Sequence, residues 1–216
     1  IEHWQAVGGF KSELKELSQA QDESEVLLAA RSANLMSFAA KLFSGCCNRV
    51  LLTDSTWPAY QRRMAREAKA SATETHTLPL RKRILCDGID SEEIVDTVVA
   101  EFVAAKCDGL FLPLVDNLGI RFPVERIVRE LRSRAELRFV VVDGAQALGQ
   151  VPLALDTDYC DFMISGSHKW LRAVSTMGLG FFGNPATEPY IRHSLEQMRR
   201  GGTIDDPLLT FTEELE

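Results

Sequence analysis

Short continuous apolar runs alternate along this chain with longer stretches in which apolar residues recur at helical spacing. That alternation is the signature of βαβ units and a mostly parallel sheet. The runs Val26–Ala29, Val50–Thr53, Gly109–Val115, Phe139–Val142, Phe162–Ser165 and Leu179–Phe182 predict strands. Several are apolar almost throughout, as expected of strands covered by helices on both faces. Asp90-Ser-Glu-Glu93 reads as a capping box, after which Ile94, Val95, Val98, Val99 and Phe102 fall on one helical face. Pro123 opens another helix, with Val124, Ile127, Val128 and Leu131 at i, i+3, i+4 and i+7. Further helices are predicted over 2–19, 32–44, 58–70 and 187–199. The pattern holds no repeat, linker or internal boundary. It predicts one α/β structure, a mostly parallel central sheet with helices on both faces in a three-layer sandwich.

Composition then narrows the function classes. With 216 residues, 45% hydrophobic and 25% charged, the chain has the balance of a soluble globular protein with a sizeable core, which excludes disorder as its main state. No apolar stretch approaches the roughly 18 residues of a membrane span. A net charge of −7 argues against a nucleic-acid partner. The basic runs Arg62–Arg63–Arg66 and Arg126–Arg129–Arg132–Arg134 read as solvated helix faces. Five scattered cysteines, with no C-x-x-C pair and no metal-ligand spacing, read as reduced thiols of a cytoplasmic protein. Adjacent Cys46 and Cys47 are expected to point apart and serve as filler. The start at Ile1, without methionine or a basic-then-apolar leader, reads as a processed, trimmed or fragmentary chain with no visible signal peptide.

In doubly covered sheets of this kind, ligands bind beyond the carboxyl ends of the strands. The segments that follow the predicted strands are Ala30–Arg31–Ser32, Asp54–Ser55–Thr56–Trp57, Asp116–Asn117, Asp143–Gly–Ala–Gln146 and Ser165–Gly–Ser–His–Lys169. All five are polar or ionisable and all are expected at one rim. Asp143 ends an apolar strand beside small neighbours that leave room for a ligand. Lys169 follows a second strand, between His168 and Trp170, where partial burial would favour a nucleophilic amine.

These motifs carry a resemblance. V-V-V-D-G-A-Q-A-L-G, then S-G-S-H-K-W-L and G-L-G-F-F, resemble the class V aminotransferase family of fold-type I pyridoxal-phosphate enzymes, whose members include cysteine-desulfurase-like and isopenicillin-N-epimerase-like proteins. The resemblance implies an enzyme acting at Cα of an amino-acid substrate, by transamination, epimerisation or lyase-type elimination, with pyridoxal 5'-phosphate as cofactor. It implies that residues 1–216 are the cofactor-binding large domain, lacking an N-terminal arm and a C-terminal small domain. Catalytic roles fall to Lys169, as the internal aldimine and proton carrier, and to Asp143, as the partner of the pyridine nitrogen. Gln146 would meet the phenolic oxygen, Trp57 would stack on the ring, and Asn117, or Asp116 beside it, would lie near the same oxygen or the substrate carboxylate. His168 would approach the phosphate with Ser165 or Ser167. Ala30 and Arg31 occupy the phosphate loop, where relatives place hydroxyl residues, so that backbone amides or Ser32 must serve. The Arg199-Arg-Gly-Gly-Thr203 stretch resembles a dimer-interface loop and implies a homodimer.

Other signals are weaker. Gly178-Leu-Gly-Phe-Phe-Gly183 matches the dinucleotide fingerprint in letters, but the motif should follow a strand and here reads as one. His3, His76, His193, Trp4 and Trp170 read as surface or packing residues, and no spacing supports a metal. The alternative function is a non-catalytic domain that keeps the fold for binding or scaffolding, with weak or no cofactor affinity.

Overall fold

A computed structural model describes residues 5–20, 24–156 and 159–211. In chain order the elements are α1 (Gln5–Ser18), β1 (Val26–Ala29), α2 (Ser32–Cys46), β2 (Arg49–Thr53), α3 (Pro58–Ala70), β3 (Glu74–Leu78), α4 (Ser91–Ala104), β4 (Gly109–Pro113), α5 (Val124–Arg134), β5 (Phe139–Asp143), β6 (Phe162–Gly166), β7 (Gly178–Phe182) and α6 (Glu188–Arg200). The strands form one sheet in the order β1-β7-β6-β5-β4-β2-β3. Among the described residues only β7 runs against its neighbours. The remaining ladders are parallel.

Strand alternation divides the core in two. Leu110, Leu112, Val140, Val142 and Met163 face one way and pack with Val98 and Ile127 of α4 and α5. Phe111, Phe139, Val141, Phe162 and Ile164 face the other, against Phe38 and Phe43 of α2 and Tyr60 of α3. Each apolar run is therefore needed on both faces, which is why β4, β5 and β6 are apolar up to their carboxyl ends. The Asp90 capping box forms as expected: the Asp90 carboxylate accepts from the Glu93 amide, and the Glu93 carboxylate from the Asp90 amide, both at 2.9 Å.

Some expectations are corrected. The strand predicted to reach Val115 stops at Pro113, because Asp116 folds the chain back and Val115 pairs only with Arg121. Strand β3, Glu-Thr-His-Thr-Leu, has no counterpart in the expected pattern; it is an edge strand paired only to β2, with only Leu78 buried. The expected helix over 2–19 is described from Gln5, and His3 and Trp4 lie outside the described residues. Trp170, expected to pack, is half-exposed. Cys46 and Cys47 do not point apart. Cys46 closes α2 while Cys47 is extended, and their sulfurs stand 3.6 Å apart.

Segment 178–183 forms β7 within the sheet and leads into a short turn over Pro185–Thr187, so no phosphate-binding helix opens there. The α5 arginines pair at the surface, Arg126 with Glu92, Arg129 with Glu125 and Arg134 with Glu130. His76 pairs with Glu101, and His193 with Gln197. Among the described residues no helix is long and apolar enough to cross a membrane.

Candidate active site

Because β1, β2, β4, β5 and β6 point the same way, the segments after them converge on one rim. They enclose a cleft of about 400 Å³. Trp57, Asn117, Asp143, Gln146, His168 and Lys169 all line it. Ala30, Arg31 and Ser165 do not.

Asp143 is the last residue of β5 and pairs with Pro113 of β4 and Ile164 of β6, so its backbone is held from both sides. Its side chain is buried, and one carboxylate oxygen accepts from the Ala145 amide at 3.0 Å. Burial raises its pKa to about 6, an effect that the Ala145 amide and the Lys169 charge offset only in part. A carboxylate in this state favours any cation or N–H donor brought beside it.

Lys169 lies three positions beyond β6 in a loop closed by Ser167. The Ser167 hydroxyl donates to the Ser175 carbonyl at 3.1 Å and accepts from the Met177 amide at 3.0 Å. The Ser165 hydroxyl donates to the Gly144 carbonyl at 3.3 Å and is wholly buried. Ser167 thus serves the backbone of the loop that bears the lysine and Ser165 the Gly144 carbonyl beside Asp143, and neither lines the cleft.

Trp57 precedes Pro58 at the start of α3 and keeps half its surface exposed. Its loop is fixed by Gln61, whose amide donates to the carbonyls of Thr53 and Thr56 at 3.2 and 3.0 Å. One turn on, Tyr60 lines the same cleft, a residue the sequence reading missed. Burial pushes its hydroxyl up to about 12, with the Asp143 charge adding to the effect and Ser32 opposing it. Asp116 and Asn117 both reach the cleft, but with different duties. One Asp116 oxygen accepts from the amides of Leu118 and Ile120 at 2.8 and 3.0 Å and so forms the turn. Asn117 is exposed and accepts from Arg81 at 3.4 Å.

At the start of α2 the cleft is lined by Ser32 and Ala33, not by Ala30 and Arg31. The Ala30 amide is taken by the buried Asp206 carboxylate at 2.9 Å, which also accepts from Asn34 at 2.6 Å. Arg31 is exposed. The first helical amides lack acceptors within a helix and make its N-terminus a favourable anion site. Gly178 lets β7 lie against this opening: a Cβ there would stand 2.7 Å from the Arg31 carbonyl.

Fold and cleft together define a three-layer α/β domain in which a buried carboxylate and a lysine line one cleft at the carboxyl rim of a mostly parallel sheet. Residues 90–203 match the class-V aminotransferase family model, more than half the chain, and the chain belongs to that family. It is 28% identical over 150 residues to the isopenicillin N epimerase of Amycolatopsis lactamdurans, covering 69% of this chain and 36% of that protein. It is 30% identical over 132 residues to the isopenicillin N epimerase of Streptomyces clavuligerus, covering 61% and 31%. The chain therefore spans about a third of the length of these curated relatives. Among solved structures it resembles the cysteine desulfurase CsdA of Escherichia coli, with a TM-score of 0.68 at 18% identity, covering 84% of this chain and 44% of that one. It also resembles the ureidoglycine–glyoxylate aminotransferase of Bacillus subtilis, with a TM-score of 0.66 at 16% identity, covering 96% and 48%.

Proposed function

We propose that this chain is the large, cofactor-binding domain of a pyridoxal-phosphate-dependent enzyme acting at Cα of an amino acid, by transamination, epimerisation or elimination. The observation that carries this reading is the buried Asp143 carboxylate, raised to about 6, in the cleft that also holds Lys169. Pyridoxal phosphate, when bound, supplies an electron sink for a bond broken at Cα. The residues present fit it. Asp143 would hold the pyridine nitrogen protonated, exchanging its desolvation for a charged partner. Gln146 would donate to the phenolic oxygen, and the exposed face of Trp57 would cover the ring. The first amides of α2, with Ser32 and His168, would hold the phosphate. Lys169 would hold the aldehyde carbon and, once released from it, carry the proton at Cα.

The reading includes a homodimer in a reducing, cytoplasmic setting. The cleft residue Trp57 and nearby Leu118 and Trp170 expose large apolar surface, which a second subunit would cover. All five cysteines are free. The second reading, a fold-retaining binding domain with little cofactor affinity, draws on the Ala30 amide being occupied by Asp206.

The test is direct. Purified protein loaded with pyridoxal phosphate should be yellow, and borohydride should bleach it and fix one pyridoxyl group on Lys169. Uptake of cofactor followed by turnover with a panel of amino acids then separates the reaction types. A protein that takes up no cofactor, or that carries the label on another lysine, overturns the proposal.

A further inference from the structure

Cys46 and Cys47 lie where α2 gives way to the extended segment entering β2, at the opposite end of α2 from Ser32. Cys46 is the last helical residue, and Cys47 is extended at φ −118°, ψ 145°. This change of backbone conformation brings the two sulfurs to 3.6 Å. Cys46 is half-buried and reachable from solvent, whereas Cys47 is buried. Cys47 is also fixed in place: its amide donates to the Phe43 carbonyl, and its thiol lies 3.8 Å from the Asp108 carbonyl.

We propose that Cys46 and Cys47 form a reactive vicinal dithiol that hydroperoxides oxidise reversibly to an intramolecular disulfide. The two thiols divide the work. Either thiol can donate across this contact, and the Cys46 thiol also lies 3.2 Å from the Leu42 carbonyl; the contact lowers Cys46 below the ordinary thiol range, while the same contact and then burial raise Cys47. Cys46, the thiol that solvent reaches, is therefore the attacking one, and buried Cys47 beside it the resolving thiol. The Cys46 sulfur attacks one oxygen of hydrogen peroxide, the O–O bond breaks, and hydroxide leaves as water with the Cys46 proton, giving a sulfenic acid. The Cys47 sulfur then displaces the sulfenic hydroxyl, which departs with the Cys47 proton as a second water. Two electrons pass from the two thiols to the peroxide.

Closure must bring the sulfurs to about 2.05 Å while neighbouring Cα atoms stay about 3.8 Å apart, closer than in ordinary disulfides. A bond so strained is readily reduced by small thiols, which makes the change reversible.

Leu42–Arg49, released by trypsin after Lys41 and Arg49, carries both cysteines and no other. Native chain treated with hydrogen peroxide, then alkylated and digested, should yield this peptide about 2 Da lighter and unalkylated, and dithiothreitol should reverse the change. Phenylarsine oxide, which needs two thiols but no oxidation, should be retained by the native chain. Cys46→Ser and Cys47→Ser should each weaken that retention about tenfold or more. Cys86→Ser, which removes an exposed thiol elsewhere, should leave it intact. A peptide that is always doubly alkylated after peroxide, or arsenical retention that survives both single variants, overturns the proposal.

Discussion

Asp143 and Lys169 enter one cleft from the carboxyl ends of adjacent parallel strands, and the charge of Lys169 acts on the buried Asp143 carboxylate. They are 26 positions apart in sequence, and the β5–β6 pairing brings them to a common rim. The strands fix where the two groups stand, burial governs the protonation of Asp143, and the Ser167-closed loop sets the reach of Lys169.

The first prediction follows from that burial. A folded-state value of about 6 lies above the ordinary 3.8, so the folded protein without cofactor holds the Asp143 proton more tightly than the unfolded chain does. The ionised carboxylate therefore destabilises the empty protein above pH 6, and the penalty fades as pH falls through 6 toward 4. Asp143→Asn should stabilise the cofactor-free chain at pH 7.5, with the gain shrinking by roughly 2 kcal/mol at pH 4.5. Urea unfolding at the two pH values checks this. With cofactor bound the sign should reverse, because Asn cannot hold a protonated pyridine nitrogen as a carboxylate does.

The sheet and the rim were largely legible in the sequence because buried parallel strands are apolar at nearly every position. What escaped has particular causes. β3 is an edge strand with polar side chains, so no apolar run marks it. Tyr60 fits an ordinary helical pattern and becomes a cleft residue only because α3 starts at the rim; its one signal was lying a turn beyond Trp57. Ser165 follows Ile164 in the strand, so alternation turns its hydroxyl beneath Gly144. The Ala30 amide bonds to Asp206, a residue far along the chain that no local pattern could connect to it. The two vicinal cysteines were misjudged because a helix-to-strand junction obeys neither element's side-chain period.

The second prediction concerns the opening of α2. Gly178→Val would place side-chain atoms against the Arg31–Ser32 peptide, which has no room for them. The loop must shift, and pyridoxal-phosphate affinity should fall about tenfold or more, equivalent to at least 1.4 kcal/mol. Cofactor titration on protein shown to be folded by circular dichroism checks it. Unchanged affinity would mean that the amides of α2 do not serve the phosphate.

Asp90→Ala supplies a contrast. It removes the side-chain half of a capping box on α4, the Asp90 carboxylate that accepts from the Glu93 amide, outside the residues that line the cleft. Stability should fall by about 1 kcal/mol, visible as a lower thermal midpoint. Cofactor affinity should stay the same. Together with Gly178→Val, this variant separates damage to the fold from damage to the site.

The last prediction distinguishes three serines that sequence reasoning could not order. Ser32 lines the cleft at the start of α2, next to amides suited to an anion. Ser165 and Ser167 are buried and spend their hydroxyls on the carbonyls of Gly144 and Ser175. A hydroxyl that donates to phosphate makes a charge-assisted bond, so Ser32→Ala should weaken cofactor binding by about 1.5–3 kcal/mol, roughly ten- to a hundredfold. Ser165→Ala should leave affinity unchanged and cost only about 1 kcal/mol of stability. Ser167→Ala removes two hydrogen bonds that close the loop bearing Lys169. It should slow attachment of cofactor to the lysine while leaving phosphate affinity intact, which stopped-flow absorbance and inorganic phosphate competition measure separately. If Ser165→Ala instead lost affinity tenfold while Ser32→Ala did not, the phosphate would lie against the β6 end of the cleft, and the assignment to α2 would fall.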